Sequence, residues 1–238
     1  MAKESTSQLL YEGSGKKLFE SDRSDFLIQE FKSDIAVEGK KRGKSKGIGA
    51  LKNEISSYLF EYLEGYHIPT HFVKQLSDTQ MLVKRLEVVP IVMKIYNVAT
   101  GPLAKRFELK DGTKLTFPVI EHSYKNSDAG NPWVNDFHVY SFNLATPEEF
   151  KLLNRLASKV NAVLRALCER RELFLASAVL EFGRLKGQLL LCDEITPETC
   201  VFWDMTNKQK PLRDHYRSDN PDAEKVFSEL RNRFQRKG

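Results

Sequence analysis

Three carboxylates in the last quarter of the chain carry the clearest chemical signal. Glu181, Asp193 and Glu194 lie in or just beyond two apolar runs within LEFGRLKGQLLLCDEITPETCVFWD, residues 180–204. The pattern predicts a β-hairpin: an apolar strand, a turn over Gly183–Gly187, and a second strand from Gln188 to Cys192 that runs into the acids. Burying a lone carboxylate costs several kcal/mol unless something pairs with it. A metal–nucleotide complex is one partner that would offset that cost. A half-exposed hairpin that turns each acid to water is the other reading, and the spacing leaves both open.

A second chemical element comes early. Glu12-Gly13-Ser14-Gly15-Lys16 is a glycine-bearing loop between two short strands, and lysines recur on the strands that follow. Glycines let a backbone approach phosphates, lysines offset their charge, and acids hold Mg²⁺. A G-x-G turn is weak evidence alone. Loop, lysines and acidic hairpin in this order form the parts list of a nucleotide site.

The elements that must position these groups can be read from periodicity. Strands are predicted at Gln8–Tyr11, Lys17–Glu20 and Asp25–Phe31, then a helix over Ala50–Glu64, where Leu51, Ile55, Leu59 and Leu63 share a face and Gly65 ends the run. Further strands are expected near His71–Lys74, Met81–Glu87 and Val89–Tyr96. Gly101, Pro118 and the polar stretch 126–132 mark a looser middle. Thr146-Pro147-Glu148-Glu149 predicts a helix start with a capping box, the helix running to Arg170 and burying Leu152, Leu153, Leu156, Val160, Val163, Leu164 and Leu167. Asn220-Pro221 opens a last helix that docks through Val226, Leu230 and Phe234.

Bulk properties narrow the class. With 238 residues, 41% of them hydrophobic and 29% charged, the chain can bury a sizeable core. No apolar run reaches the length of a membrane span, and the N-terminus has no signal-peptide pattern. Cys168, Cys192 and Cys200 lack CxxC spacing, which predicts a reducing cytoplasm and neither disulfides nor a zinc site. The net charge of +5 concentrates at Lys40, Lys41, Arg42, Lys44 and Lys46. No aromatic interleaves there for base stacking, so a solvated loop is expected rather than a nucleic-acid site; small anionic substrates are the other partners such a run would attract. The histidines (67, 71, 122, 138 and 215) show no metal-ligand spacing and read as surface or packing residues. Trp133 and Trp203 read as core or inter-lobe residues, and Cys192 as a small buried hydrophobe.

The order of these motifs resembles the SAICAR synthetase family nearly end to end. The likeness rests on IGALKNEISSYLFEYLEGYHIPTHF (48–72), LSDTQMLVKRLEVVPIVMKIYN (76–97), ATGPLAKRF (99–107), ATPEEF (145–150) and LEFG…DEITPETCVFWD (180–204). The resemblance implies an α+β, two-lobed fold with an ATP cleft between the lobes, similar to kinases and ATP-grasp enzymes. The expected division is residues 1–88, with the phosphate loop, and 89–238, with the metal hairpin and substrate side. It further implies an ATP- and Mg²⁺-dependent ligase that activates a carboxylate as an acyl phosphate and joins it to an amine such as aspartate. Neither nucleic acid nor membrane would be a partner, and a homo-oligomer is compatible. By resemblance Gly13, Ser14, Gly15, Lys16, Lys84 and Lys125 face ATP, and Glu181, Asp193 and Glu194 the metal. Leu82, Lys84 and Leu86 fall on the adenine strand and linker.

Departures from the family pattern cluster on the substrate side. The phosphate loop has Ser14 for a lysine. Asp34 stands in an altered DDxTAFNG segment, and Gly47-Ile48-Gly49 replaces GKG, with Leu51-Lys52-Asn53 for LNN. Tyr96 and Pro102 occupy the Arg and Ser positions of RNxAxGS. Ser177 and Val179 occupy the acid and lysine of DFK, and Val201 stands for an arginine. Lys94 lies on the same strand face as Tyr96. The expectation is therefore a paralogue that keeps ATP and Mg²⁺ but uses a different carboxylate. The alternatives are the family's own reaction on the imidazole carboxylate ribotide and a non-catalytic binding protein.

Overall fold

Alternating apolar and polar residues build two large antiparallel sheets beside a two-stranded one, and a cavity between the large sheets brings the early glycine loop to the late acids. The computed structural model describes residues 8–37, 40–44, 47–217 and 219–236, with the backbone alone over 34–37 and 40–44. In chain order β1 (Leu9–Glu12), β2 (Lys16–Glu20) and β3 (Phe26–Phe31) are followed by β4 (Asp34–Val37), β5 (Lys40–Lys44), α1 (Ile48–Glu64), β6 (Phe72–Gln75) and β7 (Gln80–Lys84). The first sheet has the order β1-β2-β3-β7-β6. Helix α1 covers it, burying Leu51, Ile55, Leu59 and Leu63 as their spacing requires. The basic run departs from expectation. Lys40–Lys44 is a strand paired with β4, because backbone ladder bonds do not depend on side-chain charge; Lys46 lies outside the described residues.

The second half continues with β8 (Glu87–Ala99), α2 (Gly101–Arg106), β9 (Thr113–Tyr124), β10 (Trp133–Val134), α3 (Asp136–Ser141), α4 (Pro147–Arg170), β11 (Leu173–Leu185), β12 (Gln188–Cys192), β13 (Cys200–Asp204) and α5 (Ala223–Gln235). Its sheet runs β10-β9-β8-β11-β12, with β13 also on β11. On β8 Val89, Ile91, Met93 and Ile95 are buried, on the face that α4 covers. The alternate residues Pro90, Val92 and Lys94 face the other way, toward the first sheet. The middle expected to be loose holds a long strand, a two-residue strand and two short helices, while its polar stretch 126–132 is irregular as expected. Pro118 hid β9, yet it is tolerated because β10 pairs only with Ser123 and His122 and leaves that edge open.

Local chemistry shifts three expected details. The hairpin turn is Lys186-Gly187, both at positive φ (49° and 79°), while Gly183 stays inside β11. Thr146 caps α4 by accepting from the Glu149 N–H at 3.2 Å, but the Glu149 carboxylate binds Arg184 at 2.6 Å, so no capping box closes. Leu152 is 43% exposed, whereas Leu153, Val160, Leu164 and Leu167 are buried. Finally α5 returns to α1: Phe234 stacks on Tyr58 and Arg231 pairs with Glu54. One continuous core joins both halves, so the 88/89 division falls at the start of β8 without separating two cores. Among the described residues no helix is long and apolar enough to cross a membrane.

Candidate active site

A cavity of about 950 Å³ lies between the sheets, lined by Gly13–Lys16, by Lys84 and Leu86 of the connection into β8, and by Lys125, Glu181, Asp193 and Glu194. The loop between β1 and β2 reaches it as a tight turn, Gly13 N–H donating to the Lys16 carbonyl at 2.9 Å. Position 15 is closely approached by acids: a Cβ there would sit 2.6 Å from Glu198 Oε2, so a larger residue would have to displace that carboxylate. Lys16, buried at the loop's end, pairs with Asp193 and lies 3.5 Å from Glu194 Oε1. Burial alone would lower the Lys16 ammonium, but these two acids outweigh it and hold it above the usual lysine range.

The acidic side is anchored from both sheets. Glu181 lies opposite Cys192 on β12 and Val92 on β8, and pairs with Lys125. Asp193 has φ +71°, a left-handed conformation uncommon outside glycine and a mark of backbone held against strain. Its carbonyl accepts from Gln29 Nε2 at 3.2 Å, and the next turn is tied to α1 through Ile195 N–H to Ser56 Oγ at 3.1 Å. Burial and then Asp193 raise the Glu181 carboxyl, while Lys16 overcomes burial and keeps Asp193 below the usual range. Burial pushes Glu194 up to about 7. Hard carboxylate oxygens facing a cavity, each with an exchangeable lysine nearby, suit Mg²⁺ with phosphate oxygens. The structure brings Lys16, Lys125, Glu181, Asp193 and Glu194 together at this one cavity.

Lys84 lines the cavity but donates to the Thr70 carbonyl at 2.9 Å rather than to an acid. Leu82 is absent from the lining; the pleat presents Val83, and Leu86 closes the rim with Leu18 and Leu27. Ser14 is exposed.

Three residues at the site were given no role there by the sequence reading. Lys52, with no exposed side-chain surface, donates from α1 to Glu198 at 2.7 Å. Glu198 in turn lies against Gly15. His71 lines the cavity edge-on to Phe60, its Nε2 without a hydrogen-bond partner among the described residues; burial, then Lys16, lowers it to about 3. A buried lysine on an apolar helix face was the one available signal.

The presumed substrate side is a continuation of the same face. Strand register places Val179, Lys94 and Glu121 in one row, and Ser177, Tyr96 and Val119 in the next. Tyr96 is 1% exposed, and burial and Glu121 push its phenol up to about 12. Glu121 pairs with Arg106, which lies over Phe107 and Trp133. Trp133 is 60% exposed, contrary to a core or inter-lobe role, because β10 is a two-residue edge; Trp203 is buried as expected. Pro102 is exposed near the start of α2, Ser177 is buried and Val201 half-buried opposite it. Asp34 lies in β4, its side chain outside the described residues.

One histidine has unexpected company. Asp204, His215 and Glu229 bring ligand atoms within 4.8 Å of one another, but Arg233 already bonds Asp204 at 2.9 Å and Glu229 at 2.9 Å, filling that cluster with a cation. The three cysteines are free and buried.

Comparisons with known proteins establish the chain's family. The profile described as SAICAR synthetase matches residues 9–234. Phosphoribosylaminoimidazole-succinocarboxamide synthase of Caldanaerobacter subterraneus subsp. tengcongensis is 40% identical over 229 residues, covering 96% of this chain and 97% of the relative. That of Chlorobium phaeobacteroides is 42% identical over 226 residues, covering 94% and 96%. Among solved structures, the synthase from Ehrlichia chaffeensis superposes with TM-score 0.89 at 34% identity, covering 95% and 98%. A SAICAR synthetase in complex with ADP gives 0.87 at 34% identity, covering 96% and 97%. The chain therefore belongs to the SAICAR synthetase family of ATP-dependent carbon–nitrogen ligases.

Proposed function

We propose that this protein carries out the SAICAR synthetase reaction, joining an imidazole carboxylate ribotide to the amine of aspartate at the expense of ATP. The observation that carries the reading is the meeting of Lys16 and Lys125 with Glu181, Asp193 and Glu194 in one inter-sheet cavity. Relatives about 40% identical over nearly their whole length bear that synthase's name. Glu181, Asp193 and Glu194 would hold Mg²⁺, which neutralises phosphate charge when bound. Lys16 and Lys125 would leave their carboxylates for phosphate oxygens, an exchange of one charge-assisted contact for another. Leu18, Leu27, Val83 and Leu86 offer the apolar slot for a purine.

In this reaction a carboxylate oxygen bonds to the γ-phosphorus as the β–γ bridging P–O bond breaks and ADP leaves. The amine nitrogen then attacks the acyl carbon, phosphate departs with the C–O electron pair, and the nitrogen gives up a proton. The residues' part is to orient the two reactants and spread the charge.

A second reading has a specific observation in its favour. Tyr96, Val179 and Val201 put a buried phenol and two aliphatic side chains where the family pattern has cations. That favours a carboxylate without a ribose phosphate. ADP release with the imidazole carboxylate ribotide, aspartate and Mg·ATP separates the two. Turnover at ordinary enzyme rates supports the synthase reaction; ADP release only with phosphate-free carboxylates supports the second. No thermal stabilisation by Mg·ATP would defeat both, since a ligand of the folded state must raise its apparent stability.

A further inference from the structure

Lys94 stands out beside the cleft: it is not itself part of the cavity lining, but it lies opposite Val179, which is. Its ammonium is half-buried, and among the described residues it has no hydrogen bond and no ion pair. Its one close companion is the Tyr96 ring, 5.1 Å from Nζ to centroid. Burial lowers it, Glu121 partly restores it, and Arg106 adds to the lowering. Glu121, its neighbour across the strands, is already paired with Arg106. A desolvated ammonium without an anion is costly, and such groups in clefts are candidates for function.

Register fixes where it points. Glu181, Val92 and Ser123 form one row across β11, β8 and β9, and Val179, Lys94 and Glu121 form the next row. Side chains two residues apart on a strand share a face and lie about 7 Å apart. Val92, Val179 and Glu181 all line the cavity, so Lys94 is one row beyond the metal-side carboxylate. A carboxylate held at that row would lie about 7 Å from Glu181, within reach of a phosphoryl group bound between Glu181 and Lys125.

We infer that Lys94 Nζ binds the carboxylate that is to be phosphorylated, with Val179 and the Tyr96 ring flanking a flat, unsaturated substituent. The inference rests on the amide-forming reading above and deepens it by assigning the acceptor subsite. It does not depend on whether the acceptor carries a ribose phosphate. Val179 directly opposite leaves Lys94 as the cation of its row, and Arg106 is held by Glu121.

The test uses reductively ¹³C-methylated protein with Mg·ADP bound, titrated with imidazole-4-carboxylate and, separately, with the carboxylate ribotide. Lys94→Met assigns the Lys94 resonance and provides the binding comparison; Lys94→Arg is the conservative variant. The expected result is a Lys94 shift with at least one carboxylate, a loss of about 10- to 100-fold in carboxylate affinity in K94M, partial recovery in K94R, and unchanged Mg·ADP affinity. No shift with either carboxylate, or equal carboxylate affinity in K94M and wild type, overturns the inference. Steady-state ADP release keeps it separate from the broader reading. Ribotide turnover insensitive to K94M sinks the Lys94 subsite and keeps the synthase reaction. A Lys94 response to imidazole-4-carboxylate without ribotide turnover does the reverse.

Discussion

On one side of the cleft three ammonium groups each meet a carboxylate: Lys16 with Asp193, Lys125 with Glu181, and Lys52 with Glu198. One side-chain row farther along the same sheet, Lys94 meets an aromatic ring, and Tyr96 and Val179 replace further charge. The paired side is built for exchange. Lys16 and Lys125 can hand their carboxylates to a metal and take phosphate oxygens, while Lys52 stays to neutralise Glu198, so buried charge stays balanced with and without nucleotide. On the other side Glu121 is taken by Arg106 and Lys94 has no hydrogen-bonded anion among the described residues, so an anionic ligand there gains an unshared contact. Nucleotide and acceptor binding should therefore respond to different substitutions.

The largest effect is expected from Asp193→Asn. Asparagine tolerates the left-handed backbone that Asp193 adopts, so the change isolates charge. It leaves Lys16 with Glu194 alone, and breaking one partner of a buried pair costs about 3–5 kcal/mol. Thermal unfolding should show the loss, and Mg·ATP should no longer stabilise the protein. Retained stabilisation by Mg·ATP would mean that Asp193 is not at the phosphate–metal site.

Lys52→Met comes next. Without Lys52 the Glu198 carboxylate stands uncompensated beside Gly15, facing the arriving phosphates. Mg·ATP affinity is expected to fall about 10-fold, roughly 1.4 kcal/mol. Adding Glu198→Gln should restore most of it, as the double-mutant cycle then removes both charges. Calorimetric titration of the single and double variants checks this. A double variant as weak as K52M would assign Lys52 to packing.

These two cases also show what the sequence could disclose. Glu181, Asp193 and Glu194 were legible because acids inside apolar runs violate burial rules, and the glycine loop because its turn chemistry is local. Lys52 and Glu198 are 146 residues apart and no spacing links them. Gln29 holds the Asp193 backbone through an equally non-local bond. The middle strand β9 was obscured by Pro118, whose tolerance depends on an edge that only the sheet order reveals. The charged run 40–44 misled for the converse reason, since its ladder is made by backbone groups. Lys94 was placed on the right face by period-2 alternation, but its lack of an anion required the register of three strands.

On the acceptor side, Tyr96→Phe keeps the ring but removes the phenol that bonds Glu121, so the Glu121 carboxylate is left to repel the substrate anion and KM for the carboxylate should rise about 3- to 10-fold. KM for ATP should stay within error. A parallel rise in both would join the two halves of the cleft into one coupled unit and undo the contrast drawn between them.

The smallest effect is expected at the phosphate loop itself. Ser14 is exposed beside Gly13 and Gly15, so Ser14→Lys adds a cation where solvent screens it. Exposed charge contacts contribute about 0.2–1 kcal/mol, hence a gain in Mg·ATP affinity of about 1.4- to 5-fold, shrinking as salt is raised. Titration at low and high ionic strength measures it. A gain much above that range would mean that nucleotide closes the loop over position 14 and excludes water. A loss would mean that the pairing of Lys16 with Asp193 and Glu194 already balances the site, leaving no room for another cation.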